Sequence, residues 1–213
     1  DKSSPVQVYG GGFNWKFVAG GYDNIHALKT DGTLWSWGDG NDGGLGNDST
    51  DSRSSPAQTI AGGNDWVQVS TGNWYPNASA IKSDGTLWTW GYNDYAELGT
   101  NDFTFYSSPV QIYGGGNDWS FSARGGYFGC AIKTDGTLWL WGDNNDGQLG
   151  TDDTNSTSSP VQTICGGTNW STVACGKSFV AAIKTDGTLW SWGDNNYGQL
   201  GDGTTDDKSS PIQ

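Results

Sequence analysis

Catalysis needs a proton donor or acceptor, a nucleophile or a set of metal ligands, and this chain has few of them. His26 is the single histidine, and it sits within a strand-like segment, where it reads as packing. With no second histidine, no hydrolase-type serine motif and no His/Cys ligand set, catalytic triads and zinc centres lack components. Cys165 and Cys175 come close if their strands are adjacent, leaving Cys130 alone; small buried thiols are the simpler reading of all three. The acids are numerous, 22 Asp and the single Glu97, but nearly all fall in loops or Asp-Gly turns, so nothing singles out an acid/base pair. Gly43-Gly44-Leu45-Gly46-Asn47-Asp48 fits a glycine-rich calcium nonapeptide once, whereas an equivalent loop reads Asp146-Gly147-Gln148-Leu149-Gly150-Thr151-Asp152. A helix-type calcium loop fails on spacing and on its missing terminal Glu. No catalytic residue, metal or cofactor is expected, and the reading is a non-enzymatic protein.

The elements that carry these residues follow from composition and repetition. The 213 residues include 35 Gly and 13 Trp but no Met. Turn formers dominate and the stronger helix formers are scarce, which predicts an all-β chain. Thirteen tryptophans argue against disorder. A net charge of −13 lacks the basic footprint that phosphate binding requires, so nucleic acid and anionic membrane surfaces are not expected as partners. No apolar run approaches the length of a membrane span, so no membrane insertion is expected.

Asp-Gly-Thr-Leu-Trp-x-Trp-Gly begins at Asp31, Asp84, Asp135 and Asp186, and Ser-Ser-Pro ends at Pro5, Pro56, Pro109, Pro160 and Pro211. The proline intervals are 51, 53, 51 and 51 residues, which gives repeats of about 5–55, 56–108, 109–159 and 160–210, with 211–213 opening another. Each repeat shows four strand signals, in the first Pro5–Tyr9, Trp15–Ala19, His26–Thr30 and Thr33–Gly38. The last two are joined by Asp31-Gly32, whose preference for positive φ suits a two-residue primed turn. Repeated four-stranded units of this length predict a β-propeller of antiparallel blades, in which each blade buries its faces on its neighbours. Twelve tryptophans fall in repeat register and are expected to build the fold; Trp74 is the thirteenth.

Ala-Ile-Lys-Thr-Asp-Gly-Thr-Leu-Trp-x-Trp-Gly, followed by Asp-Asn-Asn-Asp-Gly-Gln-Leu-Gly (143–150) or Asp-Asn-Asn-Tyr-Gly-Gln-Leu-Gly (194–201), resembles the regulator of chromosome condensation repeat over the whole chain. The resemblance implies a propeller, usually of seven blades, so these four repeats are expected to form part of a larger ring. It implies no single function. That family includes a nucleotide exchange factor, a plant light receptor, an inhibitor of β-lactamase and many bacterial and phage proteins. Where the family often has His, this chain has Asn24, Asn77, Phe128 and Phe179, and Gly-Gln-Leu-Gly becomes Ala96-Glu97-Leu98-Gly99 in repeat two.

Antiparallel blades alternate their connections between two faces. Loops 39–53, 92–106, 143–157 and 194–208 share one face and hold fifteen of the 23 acids, so that face is expected to be acidic. Repeat two breaks the pattern there. It gains two residues around Trp74 and Tyr75, and its long loop carries Tyr92, Tyr95, Phe103, Phe105 and Tyr106 where repeat three has Asp143, Asp146, Thr154, Ser156 and Thr157. These seven aromatics are the candidate partner-binding site, because exposed aromatic rings anchor protein interfaces and stack on sugars. The expected function is a protein-interaction or structural module on an exterior surface, either a phage virion or a secreted bacterial protein. An intracellular regulator of the exchange-factor type and a carbohydrate-binding adhesin are the alternatives. A protein or a glycan is the expected partner, with self-association or further blades of a longer chain also open.

Overall fold

The computed structural model describes residues 3–10, 12–165 and 167–213. Its strands form four antiparallel sheets, each with its strands paired in chain order. The first blade comprises β1 (Trp15–Gly20), β2 (Asn24–Lys29), β3 (Leu34–Gly38) and β4 (Arg53–Gln58). The second comprises β5 (Trp66–Thr71), β6 (Asn77–Lys82), β7 (Leu87–Gly91) and β8 (Tyr106–Gln111). The third comprises β9 (Trp119–Arg124), β10 (Phe128–Lys133), β11 (Leu138–Gly142) and β12 (Thr157–Gln162). The fourth comprises β13 (Trp170–Cys175), β14 (Phe179–Lys184), β15 (Leu189–Gly193) and β16 (Lys208–Ile212). Among the described residues the only helical element is a 3-10 turn, Asn41–Gly43. The all-β, four-bladed expectation therefore holds.

Two local expectations need correction. Pro5–Tyr9 is not a strand. Its equivalents β4, β8, β12 and β16 each pair with the third strand of their own blade, and no such partner for Pro5–Tyr9 lies among the described residues. A blade thus starts at the tryptophan and closes on Ser-Ser-Pro, one strand out of phase with a proline-to-proline count. The Asp-Gly turn is also not a two-residue primed turn. Gly32 N–H donates to the Lys29 carbonyl (3.0 Å) and Lys29 N–H to the Thr33 carbonyl (3.0 Å), which makes a three-residue loop. Only Gly32 in that loop has positive φ, at 81°. Asp31 stays out of that region because its carboxylate accepts from the Thr33 N–H (3.0 Å) and hydroxyl (2.7 Å), an Asx turn that fixes the backbone.

The first strands of successive blades meet around the axis. Gln68 of β5 donates its amide to the Ser122 carbonyl of β9 (2.7 Å) and accepts from the Ser122 hydroxyl (2.8 Å). On the face with the long loops, each blade clips to the next through an indole. Trp90 Nε1 donates to the Gly44 carbonyl (3.2 Å), Trp141 to Glu97 (2.7 Å) and Trp192 to Gln148 (2.9 Å). These three rings are fully buried. Trp37 occupies the same register but lies on the face of blade 1 that no other blade covers among the described residues, so it is only half-buried. The opposite face has its own clip, in which the carbonyl of each turn glycine accepts from the first tryptophan of the next blade. Trp66 N–H donates to Gly32 (3.1 Å), Trp119 to Gly85 (3.0 Å) and Trp170 to Gly136 (3.0 Å). A Cβ on Gly32 would strike the Asn64 carbonyl, which is why the turn needs glycine beyond its φ.

The remaining tryptophans work in pairs. Trp66 and Trp88 meet edge to face at 6.4 Å, with Lys82 Nζ 4.8 Å from the Trp66 ring. Trp119/Trp139/Lys133 and Trp170/Trp190/Lys184 repeat the arrangement. The register tryptophans therefore serve the fold, some as buried clips and some as pairs under a lysine, in which Trp66, Trp119 and Trp170 are buried and Trp88, Trp139 and Trp190 half-buried.

Candidate functional site

The site is built on the long loops, and a buried asparagine shapes each of three of them. Asn144 takes its side-chain amide inside the loop and donates to the carbonyls of Asp153 and Asn155 (both 3.1 Å), while its oxygen accepts from Leu149 N–H (2.8 Å). Asn93 and Asn195 do the same in blades 2 and 4. This fixes where the flanking side chains point. Of the fifteen acids in the long loops, Glu97 and Asp143 are buried.

Blade 2 departs from its neighbours at this point. In blades 3 and 4, Gln148 and Gln199 donate to Asp143 and Asp194 (2.9 and 2.8 Å) and accept from the backbone of residues 146 and 197. Blade 2 has Glu97 for the glutamine and Tyr92 for the aspartate. Glu97 keeps the backbone contact, from Tyr95 N–H (2.9 Å), but its Oε1 has no hydrogen-bond partner. Burial pushes its carboxyl up to about 7, against a smaller pull from Arg124.

Tyr92, freed from the polar network, lies flat on Tyr75, with ring centroids 4.0 Å apart and planes within 11°. Phe105 packs on the far side of Tyr92 at 4.9 Å. Tyr127 tilts against both Tyr75 (5.7 Å) and Tyr95 (4.6 Å). Lys177 reaches over from blade 4, with its Nζ 4.2 Å from the Trp74 ring and 5.7 Å from Tyr127. Trp74 and Tyr95 are 44% and 41% exposed, so the cluster is a ridge open to solvent. A Tyr75–Tyr92 stack requires that the first and third connections of a blade share a face, as the strand order dictates.

The seven sequence candidates do not form one group. Trp74, Tyr75, Tyr92, Tyr95 and Phe105 belong to the ridge. Phe103 stands apart, in a recess of about 330 Å³ lined with Tyr95, Asp94, Asp143 and Asn145. Tyr106 turns inward instead, packing on the core shared by blades 1 and 2 and donating its hydroxyl to Asp102 (2.8 Å). It is the first residue of β8, and strand alternation points it inward. Tyr127 and Lys177 were not among the candidates. Their signal in the sequence is one aromatic and one lysine in otherwise small or polar short loops of ordinary length.

The ridge sits among carboxylates. A second recess of about 330 Å³ on its other flank is lined by Trp74, Tyr75, Tyr22, Asp39 and Asp42. The Asp42 carboxyl is raised by burial and by the charges of Asp39 and Asp94. Tyr92 is raised strongly by burial and by its hydrogen bond to Asp94 (2.9 Å). An aromatic ridge between acidic recesses attracts cations on two counts, by ring quadrupole and by carboxylate charge.

Among the described residues, no group of three or more His, Cys, Asp or Glu is arranged to hold a metal ion. His26 is buried and packs its ring against Trp90 at 5.6 Å, inside the contact between blades 1 and 2. All three cysteines are free thiols, as the simpler reading has them, but their proximity is not the conditional one. Cys175 meets Cys130, not Cys165, because β10 of blade 3 faces β13 of blade 4.

The repeat pattern is matched by the regulator of chromosome condensation (RCC1) repeat over residues 31–75, 84–132, 135–183 and 186–213. The chain belongs to the RCC1 repeat family. It is 32% identical over 198 residues to the Ultraviolet-B receptor UVR8 of Arabidopsis thaliana, covering 91% of this chain and 44% of that one. It is 29% identical over 201 residues to the E3 ubiquitin-protein ligase HERC2 of Homo sapiens, covering 88% of this chain but 4% of that protein. In structure it superposes on human WBSCR16 with a TM-score of 0.80 at 29% identity, over 93% of this chain and 52% of that one. Prp20p of Saccharomyces cerevisiae gives 0.82 at 20% identity, over 98% and 52%, a likeness of fold. The chain thus spans about half the length of these propellers. In this chain the rings of the ridge come from blades 2 and 3, with Lys177 of blade 4 over them.

Proposed function

We propose that this propeller is a non-enzymatic protein-interaction module that binds its partner through the ridge of Trp74, Tyr75, Tyr92, Tyr95, Phe105 and Tyr127. One observation carries the reading: rings from two blades pack together into a solvent-open ridge on a face with mostly polar, acidic loops. Exposed aromatics of this kind supply large contact area at low entropic cost and serve as interface anchors. Their flanking carboxylates, with Asp42 crowded by Asp39 and Asp94, suit a partner segment that presents lysine or arginine. Yeast Prp20p, whose structure was described with its binding to Gsp1p and histones, is a protein of this fold with protein partners. The same reading places the module on an exterior surface, of a secreted protein or a virion, supported by its net charge of −13.

The experiment is quantitative affinity capture from secreted and virion fractions with wild-type protein and the Trp74→Ala/Tyr95→Ala double variant. Captured partners are then titrated against both proteins at low and high salt. A loss of tenfold or more in affinity in the double variant, with binding that weakens as salt rises, supports the reading. Equal binding by both proteins overturns it, and retention of glycans alone replaces it with the adhesin function.

A further inference from the structure

The contact between blades 3 and 4 brings two thiols together. Cys130 lies mid-way along β10, Cys175 ends β13, and their sulfurs are 3.1 Å apart, too close for anything to lie between. Cys130 is fully buried, whereas Cys175 is half-buried and borders a recess of about 350 Å³ on the propeller axis. Arg124 of β9 borders the same recess and is itself buried. Its Nε donates to Asn77 Oδ1 (2.9 Å), but neither terminal guanidinium nitrogen has a hydrogen-bond partner. A buried cation without full pairing favours any anion formed beside it. Cys165 is elsewhere, with its sulfur 3.5 Å from the Pro211 carbonyl.

We propose that Cys130 and Cys175 are a redox-convertible pair that closes to a disulfide and fastens blade 3 to blade 4 beside the propeller axis. The oxidant is a low-molecular-weight disulfide, RSSR, entering from the axial recess. Cys175, as its thiolate, attacks one sulfur of RSSR, forming a mixed disulfide and expelling RS⁻. Cys130 then loses its proton, attacks the Cys175 sulfur and expels the second RS⁻. Two protein thiols are oxidised to one disulfide and RSSR is reduced to two thiols. The hydrogen bond with Cys130, and then burial, keep the Cys175 thiol protonated, while the Arg124 charge pulls toward the thiolate. The bond also affects the neighbouring loop. Lys177, two residues beyond Cys175, accepts at its carbonyl from Gly126 N–H (3.0 Å), so oxidation ties this loop to blade 3.

The test equilibrates the full chain in buffers of rising oxidised-to-reduced glutathione ratio, with free thiols counted after denaturation. The readout is independent of what the aromatic ridge binds. The expected result is a fall from three alkylatable cysteines to one, with loss of two hydrogens and a 130–175 linked peptide. Closing this loop is expected to raise Tm by about 5–15 °C. Cys165→Ser keeps the transition and Cys130→Ala abolishes it; Ala181 fills the equivalent position of blade 4, so the small residue suits the fold. Three alkylatable cysteines at every ratio, glutathione left attached to Cys175, or a bridge that includes Cys165 would each overturn the proposal.

Discussion

The Trp141 indole donates to the Glu97 carbonyl across 2.7 Å, so blade 3 holds the deviant loop of blade 2 at the base of the aromatic ridge. The glycine two residues further on, Gly99, has φ of 69°, and a Cβ there would enter the Trp141 ring. One contact thus serves the fold through the indole and the site through the loop it pins.

Trp141→Ala is expected to cost about 3–5 kcal/mol, since it empties a fully buried ring site and leaves a carbonyl unpaired. Trp74→Ala removes a half-exposed ring whose partner is a lysine over its face, and is expected to cost less than about 1 kcal/mol. Urea unfolding of the two variants checks the contrast. Equal losses would mean that Trp74 is part of the core.

Gly99→Ala should destabilise by about 1–3 kcal/mol, because the residue combines positive φ with contact against Trp141. Gly201, the same register position in blade 4, has no atom within 4 Å of its added Cβ. Gly201→Ala meets only the φ penalty, and the smaller loss by thermal melting isolates the packing contribution.

Glu97 is held up at about 7, above its value of about 4.5 in an unfolded chain. The folded state therefore binds this proton more tightly, and its stabilising effect is complete below pH 4.5 and lost as pH rises through 7. The magnitude is on the order of 3 kcal/mol. Glu97→Gln, which restores the residue of blades 3 and 4, should remove this decline. Unfolding free energies at pH 5 and pH 8 test it, and a variant with the wild-type pH dependence would refute it.

His26 acts in the opposite sense. Burial lowers its imidazole to about 4 from an ordinary 6.5, so the folded state prefers it neutral. Its stabilising effect is complete above pH 6.5 and falls away, by roughly 3 kcal/mol, as pH drops through 4. Over the shared range the Glu97 and His26 effects largely offset each other in the wild type. His26→Ser, with the residue that Ser79 supplies in blade 2, should leave a protein that gains stability between pH 7 and 5. A profile as flat as that of the wild type over that range would show that His26 is not the group responsible.

The repeat alone made the architecture legible. Asp-Gly-Thr-Leu-Trp-x-Trp-Gly and Ser-Ser-Pro at fixed intervals mark four strands per blade, because hairpin turns and alternating side chains are local properties. The same regularity exposed Trp74 and the aromatic loop as departures from pattern, and it pointed to the face they share. What sequence could not supply depends on neighbours distant in the chain. Whether a loop aspartate is solvated or buried, as at Asp143, depends on which side chain it meets. Tyr106 reads like its aromatic neighbours yet points into the core, and Tyr127 and Lys177 join the ridge from blades 3 and 4. The thiol pair is the clearest case. Sequence offers Cys165 near Cys175 only if their strands are adjacent, but packing one blade on the next sets Cys130 against Cys175, because second strands meet the first strands of the neighbouring blade.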